Sequence, residues 1–350
     1  MPTVSVETRS GRVEFNYYIS TPEETSAKTI KPHLPTVLFI HPGYISSISF
    51  HSQFRDTRLR RFNLVALDLR CHGYTTGAPV KSPYSTVEAA EDVTRFMDAA
   101  RIPPSHIVAL SMGTMIAFEL AISFPERCLS IFQLSPLGLP EADSFSEGFD
   151  QIHDLWKEGM VHGDALMLRD SLNGVKQFGW SDREFGYGAR SSPLVDATID
   201  LILERGREIW GPFPEGVDQF NETTVRFFAY SKLRTVAEFA KIRVPVMLIH
   251  GGGDIVHEVE YVNEFGKLLD KAGVSWELSI IPHAPHIINS DFGDSVNPLL
   301  HDFVIKSTRH PMQLSSPPKK VRSPWEDMLR DRGYEDDSDD EDLIYNRHGR

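Results

Sequence analysis

Short apolar runs rich in β-branched residues recur along the chain, and segments of mixed polarity separate them. A continuous run of this kind is typical of a strand that is buried on both faces, as in a parallel sheet. The beginning of the chain differs, because residues 3–19 alternate between apolar and polar side chains about a Ser-Gly turn and therefore predict two hairpin strands. The remaining predicted strands cover 34–40, 63–68, 106–110, 129–134, 244–250 and 276–281.

Several of the intervening segments have the apolar spacing of amphipathic or buried helices. Because strands and helices alternate along the chain, the pattern predicts an α/β fold in which helices flank a parallel sheet. The predicted helices cover 86–102, 112–124, 258–273 and 295–307.

The stretch 137–233 interrupts this alternation, since it has helical patterns, many aromatic residues and no convincing strand. The alternation resumes after it, so we interpret it as a helical insertion between two strands of one core that covers 1–136 and 234–309. We interpret this insertion as a lid, and the alternative for its aromatic residues is a hydrophobic core of the insertion's own.

The charge of the chain is concentrated near its end. The net charge is −13, and the stretch 326–342 holds ten acidic residues against two arginines. The sequence therefore predicts a disordered acidic tail over 310–350, for which no partner is specified. An acidic chain also argues against nucleic-acid binding by neutralisation of phosphates.

The composition also bears on the cellular location of the protein. No apolar run reaches the length of a membrane-spanning helix, and the first residues lack the apolar core of a signal peptide. With Cys71 and Cys128 as the two cysteines, a disulfide framework is excluded and a cysteine-based metal site is not expected. These features predict a cytoplasmic protein. The nucleus is the alternative, because the basic stretch 317–322 resembles an import signal.

The stretch HIVALSMGTMIAFELA, 106–121, has the strongest chemical signal. A buried strand ends at Leu110, Ser111 follows, and an apolar helix begins at once. The small residues Ala109 and Gly113 lie two positions on either side of the serine, where a sharp turn brings backbones close together. At a helix N-terminus, free amides and the helix dipole favour developing negative charge. An ordinary serine N-cap is the alternative interpretation.

The pentapeptide A-L-S-M-G resembles the nucleophile elbow G-x-S-x-G of the α/β-hydrolase family, with Ala109 in place of the first glycine. The resemblance implies the α/β-hydrolase fold: a mostly parallel eight-stranded sheet with helices on both faces and a helical cap insertion. It also implies a triad in which Ser111 is the nucleophile, Asp254 of HGGGD is the acid, and His286 of HAPH is the base. His283 is the alternative base.

The same resemblance implies an oxyanion hole made of two backbone amides. One belongs to Met112, directly after the nucleophile. The other lies in the loop FIHPGYISS, where Pro42 has no amide, so the expected donor is Tyr44 and the alternative is Ile45. His41 is expected to order this loop by hydrogen bonding.

A further match with the family lies in the stretch LVALDLRCHGYTTG, 64–77. The resemblance implies that Asp68, Arg70 and Gly73 shape the turn beneath the active site. We therefore expect these three residues to have a structural role.

The family resemblance implies a serine hydrolase that cleaves a small-molecule carboxylic ester or lactone through an acyl-enzyme intermediate, with no metal or organic cofactor. Epoxide hydrolases and haloalkane dehalogenases of this fold use an aspartate at the elbow, so Ser111 argues against both. Two alternatives stay open. One is an acyltransferase with the same triad, and the other is a non-catalytic protein that uses the pocket to bind a ligand or partner.

Overall fold

A computed structural model of the chain describes residues 2–140, 143–181, 192–211, 214–308, 314 and 316–335. Its centre is a nine-stranded sheet. The strands are β1 (Thr3–Thr8), β2 (Gly11–Ser20), β3 (Thr36–Ile40), β4 (Asn63–Leu67), β5 (Thr76–Gly77), β6 (Ser105–Leu110), β7 (Cys128–Leu134), β8 (Val246–Gly251) and β9 (Trp276–Ile281).

The strands lie in the order β1-β2-β4-β3-β6-β7-β8-β9, and the two-residue strand β5 pairs with β2. The pairs β1–β2 and β2–β4 are antiparallel, whereas β4, β3, β6, β7, β8 and β9 all run parallel. The predicted mostly parallel, eight-stranded sheet is thus confirmed along the main path, with β5 as a short addition. Strands β3, β4 and β6 are buried at every position, as their continuous apolar runs predict.

Helices cover both faces of this sheet. Neighbouring residues of β3 point to opposite faces, so Phe39 belongs to one hydrophobic cluster and Ile40 to the other. The helices are α1 (His51–Phe54), α2 (Thr86–Ala99), α3 (Met112–Ser123), α4 (Asp143–His162), α5 (Ala165–Trp180), α6 (Pro193–Ile209), α7 (Glu215–Thr223), α8 (Val225–Tyr230), α9 (Val236–Phe239), α10 (Val259–Ala272), α11 (Gly293–Ser307) and α12 (Glu326–Arg330). None of the described helices has both the length and the apolar character that crossing a bilayer requires.

Helices α4 to α8 lie between β7 and β8 in the chain, and we call them the helical insertion. Several of its aromatic residues form its own core. The Trp156 and Trp210 rings are 5.6 Å apart, and the Phe220 ring stacks on Trp210 at 4.6 Å. Other aromatic residues of the insertion line the pocket described below. The interpretation as a core of the insertion's own therefore holds for part of its aromatic content, and the lid stays a prediction.

The predicted disorder of residues 310–350 is wrong for 316–335, which we call the C-terminal segment. Within this segment Trp325, Leu329 and Tyr334 are buried. The Trp325 ring packs at 4.8 Å from Tyr18 of β2 and at 4.9 Å from Phe54 of α1. The acidic composition predicts a solvated segment. Trp325, Leu329 and Tyr334 are nevertheless buried against the rest of the protein, and no local sequence pattern predicts the surface that they contact. Residues 336–350 of the predicted tail lie outside the described residues.

Candidate active site

Ser111 lies at the sharp turn between β6 and α3. Its backbone has φ 50° and ψ −120°, a conformation that is strained for a residue with a side chain. The turn requires Gly113, because a Cβ there would lie 2.4 Å from the Ile40 carbonyl oxygen and 2.8 Å from that of His41. The small residue noted in the sequence thus allows α3 to approach β3. Met112 is the first residue of α3, so its amide has no intrahelical acceptor.

The structure brings together the three residues of the predicted triad. The Nε2 atom of His286 lies 2.9 Å from the Ser111 Oγ, and its Nδ1 atom lies 2.8 Å from Asp254 Oδ2. Asp254 is 1% exposed and His286 is 5% exposed, so water screens this chain of hydrogen bonds weakly. The arrangement orients the serine hydroxyl, the imidazole and the carboxylate for proton transfer.

Asp254 is held as a carboxylate. Its Oδ1 accepts hydrogen bonds from the amides of Val256 (2.8 Å) and His257 (3.2 Å). Burial by itself raises the pKa of the Asp254 carboxyl, but the charge and hydrogen bond of His286, together with the nearby His250 and His257, lower the pKa to about 2. An ionised Asp254 accepts a hydrogen bond from the protonated Nδ1 of His286. The Nε2 atom of His286 is then unprotonated, and its lone pair is directed at Ser111.

The loop after β9 selects His286 over His283. His283 is exposed and has a positive φ of 59°, whereas His286 is buried beside Ser111. The loop is fixed at the backbone of His286, because Ser135 Oγ donates to its carbonyl and the Ile287 amide donates to Gly179 of α5 at 2.7 Å. The insertion therefore helps to place the imidazole.

The glycine run that begins at the last residue of β8 has a steric reason. A Cβ on Gly251 would lie 2.2 Å from the Ala284 carbonyl oxygen. Glycine therefore lets the loop that carries Asp254 pass close to the loop that carries His286. This close approach of the two loops explains the glycine residues of HGGGD.

His41 orders the loop after β3, as its sequence position predicts. Its Nε2 accepts a hydrogen bond from the Leu69 amide at 2.8 Å, and its Nδ1 lies 2.7 Å from the Pro42 carbonyl oxygen. Burial lowers the pKa of His41 to about 4, so the ring is neutral at physiological pH. It acts as a structural hydrogen-bonding group.

The predicted donors Tyr44 and Ile45 are not supported by the structure. The Tyr44 amide donates to His72 Nε2 at 3.2 Å, and the Ile45 amide donates to the Gly43 carbonyl at 2.8 Å. Burial lowers the pKa of His72 to about 3, and its Nδ1 lies 2.8 Å from the Arg70 carbonyl oxygen. His72 is thus neutral, with a proton on Nδ1 and an accepting Nε2.

Gly43 is the residue that sequence reasoning missed in this loop. It lines the same pocket as Ser111, and a Cβ on Gly43 would lie 3.5 Å from the Met112 sulfur. Its amide makes no hydrogen bond to another described residue. The signal was present, since Gly43 is the first residue after Pro42 that has an amide. The acceptor role of His72 was not visible from local sequence.

Asp68 and Gly73 form the turn beneath the site, as expected. The Asp68 carboxylate accepts hydrogen bonds from Asn16 Nδ2 (2.8 Å), the Ser47 amide (3.0 Å) and the Tyr74 amide (2.9 Å). A Cβ on Gly73, which has φ 52°, would lie 2.2 Å from Asp68 Oδ2. These contacts are structural.

Arg70 joins the same turn to its neighbours. Its guanidinium lies 3.6 Å from the Asp92 carboxylate and donates to Thr8 Oγ1 at 2.9 Å. Both charged groups are buried, so they compensate each other's desolvation.

An apolar pocket of about 450 Å³ opens onto Ser111 and His286. The helical insertion supplies most of its aromatic side chains. The pocket is lined by Pro42, Gly43, Tyr44, Ile45, Ser111, Phe145, Phe149, Ile152, Val175, Phe178, Gly179, Phe228, Val256, His286 and Ile287.

Among the described residues, Asp254, His257 and His286 have donor atoms within 4.8 Å of one another, which is close enough to hold a metal ion. Two of these residues form the 2.8 Å hydrogen bond of the chain that ends at Ser111. A metal ion at this position would compete with that hydrogen bond. The donor set therefore overlaps the triad.

The family of the chain follows from a match that covers most of it. A family model described as alpha/beta hydrolase fold matches residues 35–291. The strand order and the elbow agree with this match. The chain belongs to the α/β-hydrolase-fold family.

Individual relatives are distant or match locally. Epoxide hydrolase 1 of Siraitia grosvenorii is 22% identical over 301 residues, which cover 77% of this chain and 91% of that protein. A component of the acetoin cleaving system of Cupriavidus necator, a dihydrolipoyllysine-residue acetyltransferase, is 36% identical over 116 residues, and the chain covers 30% of its length. A thermophilic esterase from Thermogutta terrifontis superposes with a TM-score of 0.65 at 16% identity, over 88% of this chain and 99% of that one.

Proposed function

We propose that this protein is a serine hydrolase that cleaves a carboxylic ester or lactone. The observation that carries the proposal is the hydrogen-bond chain from Ser111 Oγ through His286 to Asp254, with distances of 2.9 and 2.8 Å. A serine hydroxyl is a weak nucleophile on its own, and a hydrogen-bond chain of this geometry activates it.

The first half of the reaction forms an acyl-enzyme. Ser111 Oγ attacks the substrate carbonyl carbon while its proton passes to His286 Nε2, and the ionised Asp254 stabilises the resulting imidazolium. The tetrahedral intermediate collapses as His286 returns that proton to the leaving alkoxide oxygen. An alcohol departs, or in a lactone the hydroxyl end of the opened ring.

The second half regenerates the enzyme with water. His286 removes a proton from a water molecule, and the water oxygen attacks the acyl carbon of the Ser111 ester. Collapse of the second tetrahedral intermediate returns the proton from His286 to Ser111 Oγ. The products are a carboxylic acid and the free enzyme.

Two amides are proposed to stabilise the oxyanion in both halves. Met112 offers its amide at the start of α3, and Gly43 offers the amide that replaces the predicted Tyr44 donor. The dipole of α3 adds positive potential at the same place. Removing one such donor typically lowers kcat by roughly 10²–10³.

The residue at the elbow favours an ester over an epoxide, although an epoxide hydrolase is among the relatives. Attack of a serine oxygen on an epoxide would leave an alkyl ether on the enzyme, which water does not cleave readily. Attack on an ester or lactone leaves an acyl ester, which His286 and water hydrolyse. Ser111 therefore fits acyl chemistry.

The proposal is tested by a fluorophosphonate probe, which reacts with an activated serine. We expect the wild-type protein to be labelled and Ser111→Ala to stay unlabelled. The matched control is Ser123→Ala at the exposed far end of α3, which is expected to label like the wild type. Turnover of p-nitrophenyl esters by samples of the same proteins that have not been treated with the probe completes the assay.

Two outcomes contradict the proposal. Equal labelling of the wild type and Ser111→Ala would show that another nucleophile reacts. An unlabelled wild-type protein with a cooperative thermal transition would favour a ligand-binding protein on the same fold.

A further inference from the structure

A second pocket lies beside the pocket that contains Ser111, and its empty space, including the part that opens to solvent, is about 460 Å³. Three parts of the molecule build it: the sheet and its loops, helix α6 of the insertion, and the C-terminal segment. The triad does not use it. Its lining residues are Tyr18, Tyr44, Ser46, Ile48, Gly73, Tyr74, Leu201, Ile202, Arg205, Gly206, Ile209, Trp210, Trp325 and Met328.

The side chain of Tyr44 separates the two pockets, because Tyr44 lines both of them. Its ring lies 5.3 Å from Phe149, which lines the pocket of Ser111, and 5.6 Å from Phe220 of the insertion core. A change of this one side chain would join the two spaces.

Ring contacts hold most of the Tyr44 side chain. Its buried phenol oxygen lies near the Thr224 side chain but forms no hydrogen bond of ordinary geometry with a described residue. Rotation of the ring therefore breaks at most a weak contact there and leaves the 3.2 Å bond from its amide to His72 in place. Tyr44 is thus suited to be a movable partition on a fixed backbone.

The walls of the second pocket, in contrast, are anchored. Trp325 packs against Tyr18 at 4.8 Å, and the Tyr74 hydroxyl lies 3.7 Å from the Met328 sulfur. The Arg205 guanidinium lies 4.8 Å from the centre of the Tyr74 ring. The C-terminal segment therefore closes this pocket against the body of the protein.

The charge of the pocket indicates what it would hold. The cationic residue in its wall, Arg205, forms an ion pair with Glu208 and donates from Nε to the Gly73 carbonyl at 2.6 Å. Its charge is already compensated, and most other wall residues are apolar or aromatic. An uncharged, apolar occupant matches this surface best.

We propose that the second pocket receives the far end of a long acyl chain whose carbonyl lies at Ser111, with the Tyr44 ring displaced. This inference rests on the proposed serine hydrolase function and names its substrate class as long-chain esters. Met328 and Trp325 of the C-terminal segment then limit the length of the chain. The segment becomes part of the substrate-binding structure.

The test compares p-nitrophenyl butanoate with p-nitrophenyl dodecanoate in the wild type, in Met328→Trp and in the control Met167→Trp. Met328 and Met167 are both half-buried, but Met167 lies on α5 and lines neither pocket. We expect Met328→Trp to lower kcat/KM for the dodecanoate by at least about tenfold and to change that for the butanoate by less than about twofold. Met167→Trp should resemble the wild type.

A second variant keeps the test decisive if Met328→Trp does not fold. Tyr44→Ala removes the partition, and we expect the ratio of kcat/KM for the dodecanoate over the butanoate to rise by at least about fivefold. Unchanged ratios in the variants that fold would overturn the inference. The proposed function would then still stand on Ser111-dependent labelling, whereas absence of labelling in the wild type would overturn both.

Discussion

At the scale of single residues, three buried histidines differ in what surrounds each imidazole. His41 and His72 are buried without a carboxylate partner, and burial lowers their pKa values to about 4 and about 3. Both are neutral: His41 accepts the Leu69 amide in the turn after β4, and His72 accepts the Tyr44 amide in the loop that borders the pocket. His286 instead lies between the Asp254 carboxylate and the Ser111 hydroxyl. The neighbours decide which histidine is suited to transfer a proton.

The depressed pKa of Asp254 predicts a pH dependence of stability. Its folded pKa of about 2 lies below the ordinary value of 3.8, so ionised Asp254 stabilises the folded state above about pH 4, and this contribution disappears as the pH falls towards 2. A shift of this size corresponds to about 2 kcal/mol. We expect the free energy of unfolding to fall more steeply between about pH 4 and pH 2 in the wild type than in Asp254→Asn.

Denaturant titrations at each pH give these values. The matched control is Asp331→Asn, since Asp331 is exposed and should leave the wild-type profile unchanged. The histidines His41 and His72 titrate in all three proteins, so their effect cancels in the comparison. Parallel profiles for the wild type and Asp254→Asn would contradict the prediction.

At the scale of elements, the turn from β6 into α3 depends on how closely a helix approaches a strand. The missing side chain at Gly113 lets the first turn of α3 lie against the carbonyl groups at the end of β3. This approach places Ser111 at the helix N-terminus and Met112 beside Gly43. The small residue that belongs to the sequence motif is also the residue that the packing of α3 on β3 requires. The elbow could therefore be recognised from the sequence.

We expect Gly113→Ala to destabilise the protein by about 1–3 kcal/mol, because its Cβ would lie 2.4 Å from the Ile40 carbonyl oxygen and force α3 away from β3. Ester turnover should fall as the Ser111–His286 distance changes. Thermal unfolding and kcat measure the two effects. In the control Gly252→Ala the nearest heavy atoms would lie 3.4 Å away, so it should lose much less stability. Equal effects of the two substitutions would refute the steric argument.

At the scale of the whole molecule, the C-terminal segment connects the core with the helical insertion. On the core side, the buried Arg60 donates to the Arg322 carbonyl at 2.9 Å, and Ser323 Oγ lies 2.6 Å from His51 Nδ1. On the insertion side, Arg332 forms an ion pair with Glu204 of α6. The segment therefore holds two parts of the fold in one arrangement.

Trp325 provides the test of this connection, because it is 1% exposed and packs between β2 and α1. We expect Trp325→Ala to lower the free energy of unfolding by about 3–5 kcal/mol, as for other large aromatic residues removed from a core. Trp325→Phe keeps much of the apolar contact and should lose less than half of that. A loss below about 1 kcal/mol in Trp325→Ala would show that the segment adds little to the fold.

Much of the architecture was predictable because its signals are local. Continuous apolar runs predicted the buried strands β3, β4 and β6, and helical spacing predicted α2, α3, α10 and α11. Ser111, Asp254 and His286 were implied by the resemblance to the family, with His283 as the alternative base. The parallel sheet places the carboxyl ends of its strands at one edge, which is why residues far apart in the chain meet there.

The sequence by itself predicted most of the strands and four of the helices, because periodicity acts over short stretches, and its resemblance to a family motif implied the fold family and the three residues of the hydrogen-bond chain. Only the tertiary structure decided that His72 takes the Tyr44 amide, that Gly43 keeps its own, and that Trp325 anchors a segment whose composition suggested disorder. Each of these outcomes depends on a contact between distant parts of the chain. The energy of such a contact comes from a partner surface that exists only after folding.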